Sequence, residues 1–440
     1  MSPTAVEADL HDPTSRSYRK ALRKHIKTTK KRDPQVSQDW TPFRAAEKRY
    51  KARFPPPNLD DVLDLAALDD DRELGCWRGN PRAIETEAFD AGSRRGYTVP
   101  SIPGLVLLPS FISAPEQRNL VKWALRDHAR HPNPTNLDAH YDMPTDGLWN
   151  TYLADPESTA PINLLASTFT APPPSSASPS GPRELVSNPP ASPSSLPELL
   201  SIPKPAPAPS LTVPPLPASQ LLPKLRWANI GWFYHWGTKQ YDFTRGKGEI
   251  ATPVRKLCKD AVASVPWENI FSGVHLDWGA EGEDWKDWNH TYEPDAGIVN
   301  FYQTNDTLMA HVDRSEVCAT SPLVSISLGC AAIFLIGSAT RDDPPTPILL
   351  RSGDVVIMSG PRCRRAYHGV PRILDASLPA HLSAPTASEN EDEEWLPYAR
   401  YLRTTRINVN VRQVFPKGFD PSAVLGPCLA TLDVQDAHNR

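Results

Sequence analysis

The sequence predicts a mainly β fold with flanking helices, a sandwich or jelly roll whose helices come from the N-terminal side. Three observations predict it. Beyond residue 296, short runs rich in β-branched and aromatic residues follow one another closely, broken by Gly, Pro, Asp and Ser. No helical pattern separates most of them, so the strands are built from neighbouring hairpins and crossovers. A clear helix start, by contrast, stands ahead of the strands, at Ser113.

Taken in order, residues 15–33, SRSYRKALRKHIKTTKKRD, are basic, and their early part suits a helix with Tyr18, Leu22 and Ile26 four apart on one side. Such a run reads either as a solvated face or as an arm for phosphates or nuclear import. Glu7, Asp9 and Asp12 ahead of it weigh against an organelle transit peptide. After Ile102, PGLVLLPSFIS reads as a strand entering a turn. Ser113 then caps a helix with Pro115 in its first turn and Leu120, Val121, Trp123, Ala124 and Leu125 inside. Between 156 and 218 fall 18 prolines, and Phe169 is the only aromatic residue from 153 to Trp227, so residues 153–222 are expected to be a flexible insertion. Patterned sequence resumes at LRWANIGWFYHW (225–236), and a helix is expected after Pro253 with Val254, Leu257 and Val262 on one side. Strands are expected at 297–302, 323–328, 331–337, 347–351, 354–360 and 406–414. The acidic run SENEDEEW, ending at Trp395, reads as a solvated loop between two of them. The chain thus divides into an N-terminal extension with a basic helix and some disorder (1–100), the first part of the folded domain (101–152), the insertion (153–222), the β core (223–416) and a tail (417–440).

Composition narrows the class. The 440 residues include 49 prolines, so the folded part is smaller than the length suggests. With 47 basic and 51 acidic residues, a nucleic-acid partner would have to be met by local basic patches. Six scattered cysteines form no CxxC pair, which argues against a disulfide framework or a structural zinc site and for a reducing compartment. No apolar run reaches the roughly 18 residues a membrane span requires. The expectation is a soluble intracellular monomer of the cytoplasm or nucleus, with the mitochondrion as an alternative and the Asn289 and Asn305 sequons as chance matches.

His311 and Asp313 are two apart, so on a strand or its end both side chains point to one side and can share an ion. By itself, in a chain of 12 histidines, such a pair reads first as an exposed polar turn, and the motifs around it are what overturn that reading. His368, in RRAYHGVPR after an expected strand, is the best third ligand, because distant jelly-roll strands lie side by side. Two histidines and a carboxylate on one face of an octahedron leave three positions open, as Fe(II) oxygenases need for a keto acid and O2. Further along, Arg406, Asn408, Asn410 and Arg412 share one strand face while Ile407, Val409 and Val411 share the other. Six steps separate the two arginine backbones by roughly 20 Å. Their arms of about 6 Å each can lean inward to hold a short dicarboxylate. A solvated strand face is the alternative. Asn300 and Tyr302, together on the strand ahead of His311, can donate to the same carboxylates, although a tyrosine there also suits a half-buried strand.

In this order, Asn300-x-Tyr302, His311-x-Asp313, His368 and Arg406-x5-Arg412 resemble the signature of the AlkB dioxygenases. The segments NFYQTNDTLMAHVDRSE, LRWANIGWFYHW, RSGDVVIMSG, RTTRINVNVRQV and PNPTNLDAHY resemble the AlkB homologue 1 branch. The resemblance implies a double-stranded β-helix (jelly roll) with Fe(II) held by His311, Asp313 and His368. It implies 2-oxoglutarate held by Asn300, Tyr302, Arg406 and Arg412, with Asp313 and Arg412 in the catalytic centre, and substrate contacts near Trp149, Trp232 and Tyr234. Phe233, His235 and the insertion depart from the pattern. The implied reaction splits O2 between succinate, formed with CO2 from 2-oxoglutarate, and a hydroxylated methyl group on a nucleic-acid base. A hydroxymethyl group on nitrogen leaves as formaldehyde; one on carbon persists. The implied substrate is tRNA carrying 1-methyladenine or 5-methylcytosine, with DNA second. Trp232 and Tyr234 would stack a base drawn from its helix, unless they are core. The competing readings are a dioxygenase for a protein or histone, a catalytically silent nucleic-acid-binding module, and an added lyase activity of the N-terminal lysines.

Overall fold

The apolar runs pair into antiparallel strands. The computed structural model describes residues 10–30, 39–68, 75–92, 94–165, 188–205, 212–279, 282–384 and 393–419. Its strands are β1 (Glu87–Ala91), β2 (Arg94–Thr98), β3 (Leu105–Leu108), β4 (Pro161–Ile162), β5 (Leu216–Pro217), β6 (Trp227–His235), β7 (Gln240–Lys247), β8 (Ala296–Gln303), β9 (Leu308–His311), β10 (Leu323–Gly329), β11 (Ala332–Ile336), β12 (Thr346–Leu350), β13 (Val355–Met358), β14 (His368–Ile373) and β15 (Thr405–Arg412). Nine form a major sheet in the order β1-β2-β3-β13-β10-β15-β8-β6-β7, four form a minor sheet, β12-β11-β14-β9, and β4 pairs only with β5. The six strands expected beyond residue 296 all form within two residues of their expected limits. The short β9 and β14, the β1–β2 hairpin and β7 were not expected as strands.

Alternation along β15 sets the layers. Ile407, Val409 and Val411 are buried with Val324, Ile326 and Phe301 under helices Ala114–Lys122, Thr252–Ala263 and Leu396–Leu402. Arg406, Asn408 and Arg412 therefore take the opposite face, toward the space between the sheets. There Leu105, Leu107, Val356 and Met358 of the major sheet meet Phe334, Ile336, Ile348 and Leu350 of the minor one. Two facing antiparallel sheets make this a jelly roll, with helices on the outer face of the major sheet. Helix Ala114–Lys122 starts with the capping box of Ser113 and Glu116. In helix Thr252–Ala263, Cys258 and Ala261 join Val254 and Val262 in the core, whereas Leu257 is half-buried.

Three expectations are revised. The N-terminal hundred residues are not merely an extension: β11 is buried at every position, so the minor sheet needs cover on both faces. Helix Pro42–Lys51 supplies it with Phe43 and Tyr50, together with Val62 and Trp77. Helix Arg16–Thr29 forms as the basic run suggested and packs through Tyr18 and His25 on Phe54, at 5.2 and 6.0 Å, yet none of its residues is fully buried and Ile26 is exposed. Within the stretch expected to be a flexible insertion, residues 188–205 and 212–222 are packed. Leu196 lies in a cluster with Trp232, Phe243 and Phe415, and the Ala191 N–H donates to the Arg314 carbonyl at 2.8 Å. Backbone hydrogen bonds and isolated leucines anchor what its proline content alone does not. Trp395, at the end of the acidic run, is not in a solvated loop: it is fully buried, stacks on Tyr398 and donates Nε1–H to the Leu382 carbonyl. Residues 31–33, 166–187, 206–211, 388–392 and 420–440 lie outside the described residues. No described helix is long and apolar enough to cross a membrane.

Candidate active site

β9 and β14 lie next to each other in the minor sheet with His311 and His368 as direct register partners. Cross-strand partners project to the same side, and the two imidazoles sit 4.4 Å apart between centroids. Asp313 follows His311 by two residues, with its Oδ1 3.7 Å from His311 Nε2. Ligating atoms of His311, Asp313 and His368 all lie within 4.8 Å of one another, the one such His, Cys and carboxylate group among the described residues. Each imidazole is oriented by its own backbone: His311 Nδ1 bonds the Met309 carbonyl at 2.9 Å and His368 Nδ1 the Ala366 carbonyl at 3.0 Å. A carbonyl only accepts, so Nδ1 carries the proton and Nε2 presents a lone pair. Burial depresses the His368 pKa to about 4, which keeps that ring neutral at physiological pH. At Asp313 burial acts upward, but Arg412 and then His368 and His311 outweigh it and hold the carboxyl well below the usual range. Two imidazole nitrogens and a carboxylate are a donor set that fits Fe(II).

Strand β9 is the free edge of its sheet, and the N-terminal segment secures it. Glu47, on helix Pro42–Lys51, accepts from the Ala310 N–H at 2.7 Å, and Arg341 donates to the Ala310 carbonyl at 3.0 Å. The residue before His311 is thus held from both sides. Glu47→Ala removes the acceptor from a buried N–H, which costs about 2 kcal/mol. It is expected to raise the Fe(II) concentration for half-maximal turnover by about tenfold, as loss of a supporting hydrogen bond does at metal sites. Glu47→Gln, which keeps the acceptor oxygen, restores most of that affinity; thermal melts and iron titrations of both variants read the two effects.

The clamp strand does its work asymmetrically. Arg406 and Tyr302 are register partners, as are Asn408 and Asn300. Arg406 is 2% exposed; its Nη2 donates to Ser327 Oγ at 2.8 Å, while Nε and Nη1 have no hydrogen-bond partner. Burial draws its pKa down to about 10, outweighing the opposing pull of Tyr302 and Asp354. A buried cation with two idle donors is complementary to a carboxylate, so the chemistry of the site fits a keto diacid. Arg412 differs: its Nη1 donates to Asp313 Oδ2 at 3.1 Å and to Glu316 Oε1 at 2.9 Å. The two arginines therefore do not close on one molecule as a symmetric clamp. Arg412 braces Asp313, and Arg406 is the open anion receptor.

Substrate positions fare unevenly. Trp149 is corrected: it is 1% exposed and packs at 4.8 Å on Tyr398, in the cluster containing Val409 and Val411, on the sheet face opposite Arg406 and Arg412. Trp232 is corrected too, since it is buried against Phe243 and Phe415. Tyr234 remains at the site: half-buried, hydrogen-bonded with Ser315, and raised to about 12 by burial. Sequence reasoning missed Glu316, buried beside Arg412, and Arg365, whose Nη1 donates to the Asp313 carbonyl at 2.6 Å. The dense charges of DRSE and RCRR next to core-forming strands were the signal for both.

Comparison with known proteins agrees with this geometry. The model of the 2OG-Fe(II) oxygenase superfamily matches residues 202–412, a span holding His311, Asp313, His368 and both arginines. A protein of Arabidopsis thaliana named DNA N(6)-methyladenine demethylase ALKBH1A is 31% identical over 389 residues, 86% of this chain and 97% of the relative. The Schizosaccharomyces pombe protein named tRNA demethylase abh1 is 30% identical over 384 residues, 85% of this chain and 96% of the relative. The human protein named nucleic acid dioxygenase ALKBH1 is 28% identical over 402 residues, covering 84% of this chain and 83% of the relative. At these identities over nearly the whole of both chains, the protein belongs to the 2OG-Fe(II) oxygenase superfamily, in the homologue 1 branch of the AlkB family, and is a 2-oxoglutarate-dependent dioxygenase.

Proposed function

We propose that this chain oxidises methyl groups on nucleic-acid bases, with methylated tRNA as the first substrate and DNA as the second, 1-methyladenine and 5-methylcytosine being the foremost candidate bases. What carries the reading is that relatives about 30% identical along nearly their full length are named for demethylation of DNA and of tRNA. His311 and His368, through Nε2, and Asp313 would hold Fe(II). Arg406, with Tyr302 and Asn300 on the neighbouring strand, would receive the distal carboxylate of 2-oxoglutarate. When bound, the iron and 2-oxoglutarate together supply the oxidising equivalent drawn from O2.

The remaining work belongs to the chain. Arg412 and Arg365 fix the two ends of Asp313, carboxylate and carbonyl, so its angle to the imidazoles is set before any ligand arrives. Tyr234, whose neighbour Ser315 lies two residues past Asp313, lines the approach for a base drawn out of its stack. Its phenol stays protonated at physiological pH and can donate to a base edge. The proposal is tested by succinate release with methylated tRNA, methylated single-stranded DNA and methylated histone peptides in parallel. Turnover with the nucleic acids, and little with peptides, is expected. Turnover with peptides alone overturns the reading in favour of a protein substrate.

A further inference from the structure

Trp227, the first residue of β6, and Trp236, just past its end, have no role in the chemistry above and stack on each other. Their ring centroids are 5.1 Å apart and their planes 28° from parallel. Tyr234 meets Trp236 edge-on at 4.9 Å. The two tryptophans belong to one chain segment and come together because β6 bends: Gly231 has a φ of +62°, and the register of β6 against β7 shifts between Trp232 and Phe233. A Cβ at Gly231 would stand 2.2 Å from the Asp295 carbonyl oxygen, so only glycine permits this path.

The pair is placed by the sheet. Trp227 is the register partner of Asn300, so its side chain leaves β6 on the face that carries Asn300 and, one strand further, Asn408. It is therefore continuous with the anion receptor. Trp236 lies on it, 42% exposed, one of four large apolar side chains left in the open among the described residues. Tyr234 joins the pair to the Asp313–Ser315 loop. The result is an aromatic cluster whose outermost indole, Trp236, is exposed and whose Tyr234 leads to the loop that carries Asp313.

We propose that Trp227 and Trp236 form a stacking platform for an unpaired nucleobase of the substrate, the neighbour of the base being oxidised. This deepens the nucleic-acid reading above and rests on it. The reacting base has to lie against His311 and Asp313, and Tyr234 stands between that loop and the tryptophans, so a platform beyond Tyr234 takes the neighbouring nucleotide. Drawing one base out of its stack bares a face of its neighbour, and an indole replaces that contact for any base because all four present a flat π-face. The platform thus favours single-stranded or locally opened substrates over intact duplex, with tolerance for the identity of the flanking base.

The test uses the full chain and a fluorescent single-stranded oligonucleotide with one methylated adenine, alongside versions in which the base on either side of it is removed to leave an abasic residue. Binding is read by anisotropy, and melting temperature checks that each variant is folded. For the wild type, removing one of the flanking bases is expected to weaken binding about tenfold, the scale of one base–aromatic stack. Trp236→Ala is expected to weaken the intact oligonucleotide by a similar factor and to be indifferent to removal of that base, while Trp236→Phe keeps most of the affinity. Unchanged binding by Trp236→Ala, or losses that multiply when both partners are removed, overturns the platform alone. A wild-type chain that binds none of the oligonucleotides but turns over peptides overturns both the platform and the nucleic-acid reading.

Discussion

Alanine at His311 is expected to lower 2-oxoglutarate turnover by at least about a thousandfold, because the site has only three protein ligands to offer and loses one outright. The structure sharpens this expectation. His311 and His368 face each other in register, each oriented by a carbonyl two residues before it, and with Asp313 they form the one such ligand group among the described residues. The same loss is expected for His368→Ala. Succinate release over time, with melting temperature as the control for folding, measures it. Turnover within tenfold of wild type in either variant would place the metal elsewhere.

Alanine at Arg406 is expected to raise the KM for 2-oxoglutarate by on the order of a hundredfold, the loss of roughly 3 kcal/mol of charge-assisted hydrogen bonding. Arg406 is buried with two donors unused, so whatever carboxylate it meets is desolvated along with it. Arg406→Lys restores only part of the affinity, since an ammonium replaces the planar fork with a point charge. Arg412 makes a useful contrast. Because it bonds Asp313 and Glu316, Arg412→Ala leaves a partly buried and a fully buried carboxylate without their cation, and its effect falls on metal affinity and stability before it falls on 2-oxoglutarate.

The sequence was most legible where side-chain period and chemistry coincide. Alternation of Arg406, Asn408 and Arg412 with Ile407, Val409 and Val411 located both the core face and the working face of β15, and the structure keeps that division. His311, Asp313 and His368 converge as their spacing and strand context suggested. Legibility failed where long-range packing decides. Trp149 and Trp232 are aromatic residues in family-like segments, but the first lies under Tyr398 behind the major sheet and the second in the Phe243–Phe415 cluster. Trp236 is the reverse case: it closes an aromatic run most of which packs inward, and its place in the turn after β6 leaves it exposed. The cover of the minor sheet by helix Pro42–Lys51 was implicit in the unbroken apolar run of β11, which has no polar side to leave in water. Glu47 belongs to that helix, so its bond to the strand of His311 depends on a fold-level contact between residues far apart in the chain.

The most direct measurement is the stoichiometry of metal and 2-oxoglutarate binding, followed by calorimetry without O2. The account predicts one Fe(II) per chain in the wild type, none of comparable affinity in His311→Ala or His368→Ala, and 2-oxoglutarate binding that requires both the metal and Arg406. An ion held equally well by the histidine variants, or 2-oxoglutarate bound with full affinity by metal-free protein or by Arg406→Ala, would contradict it.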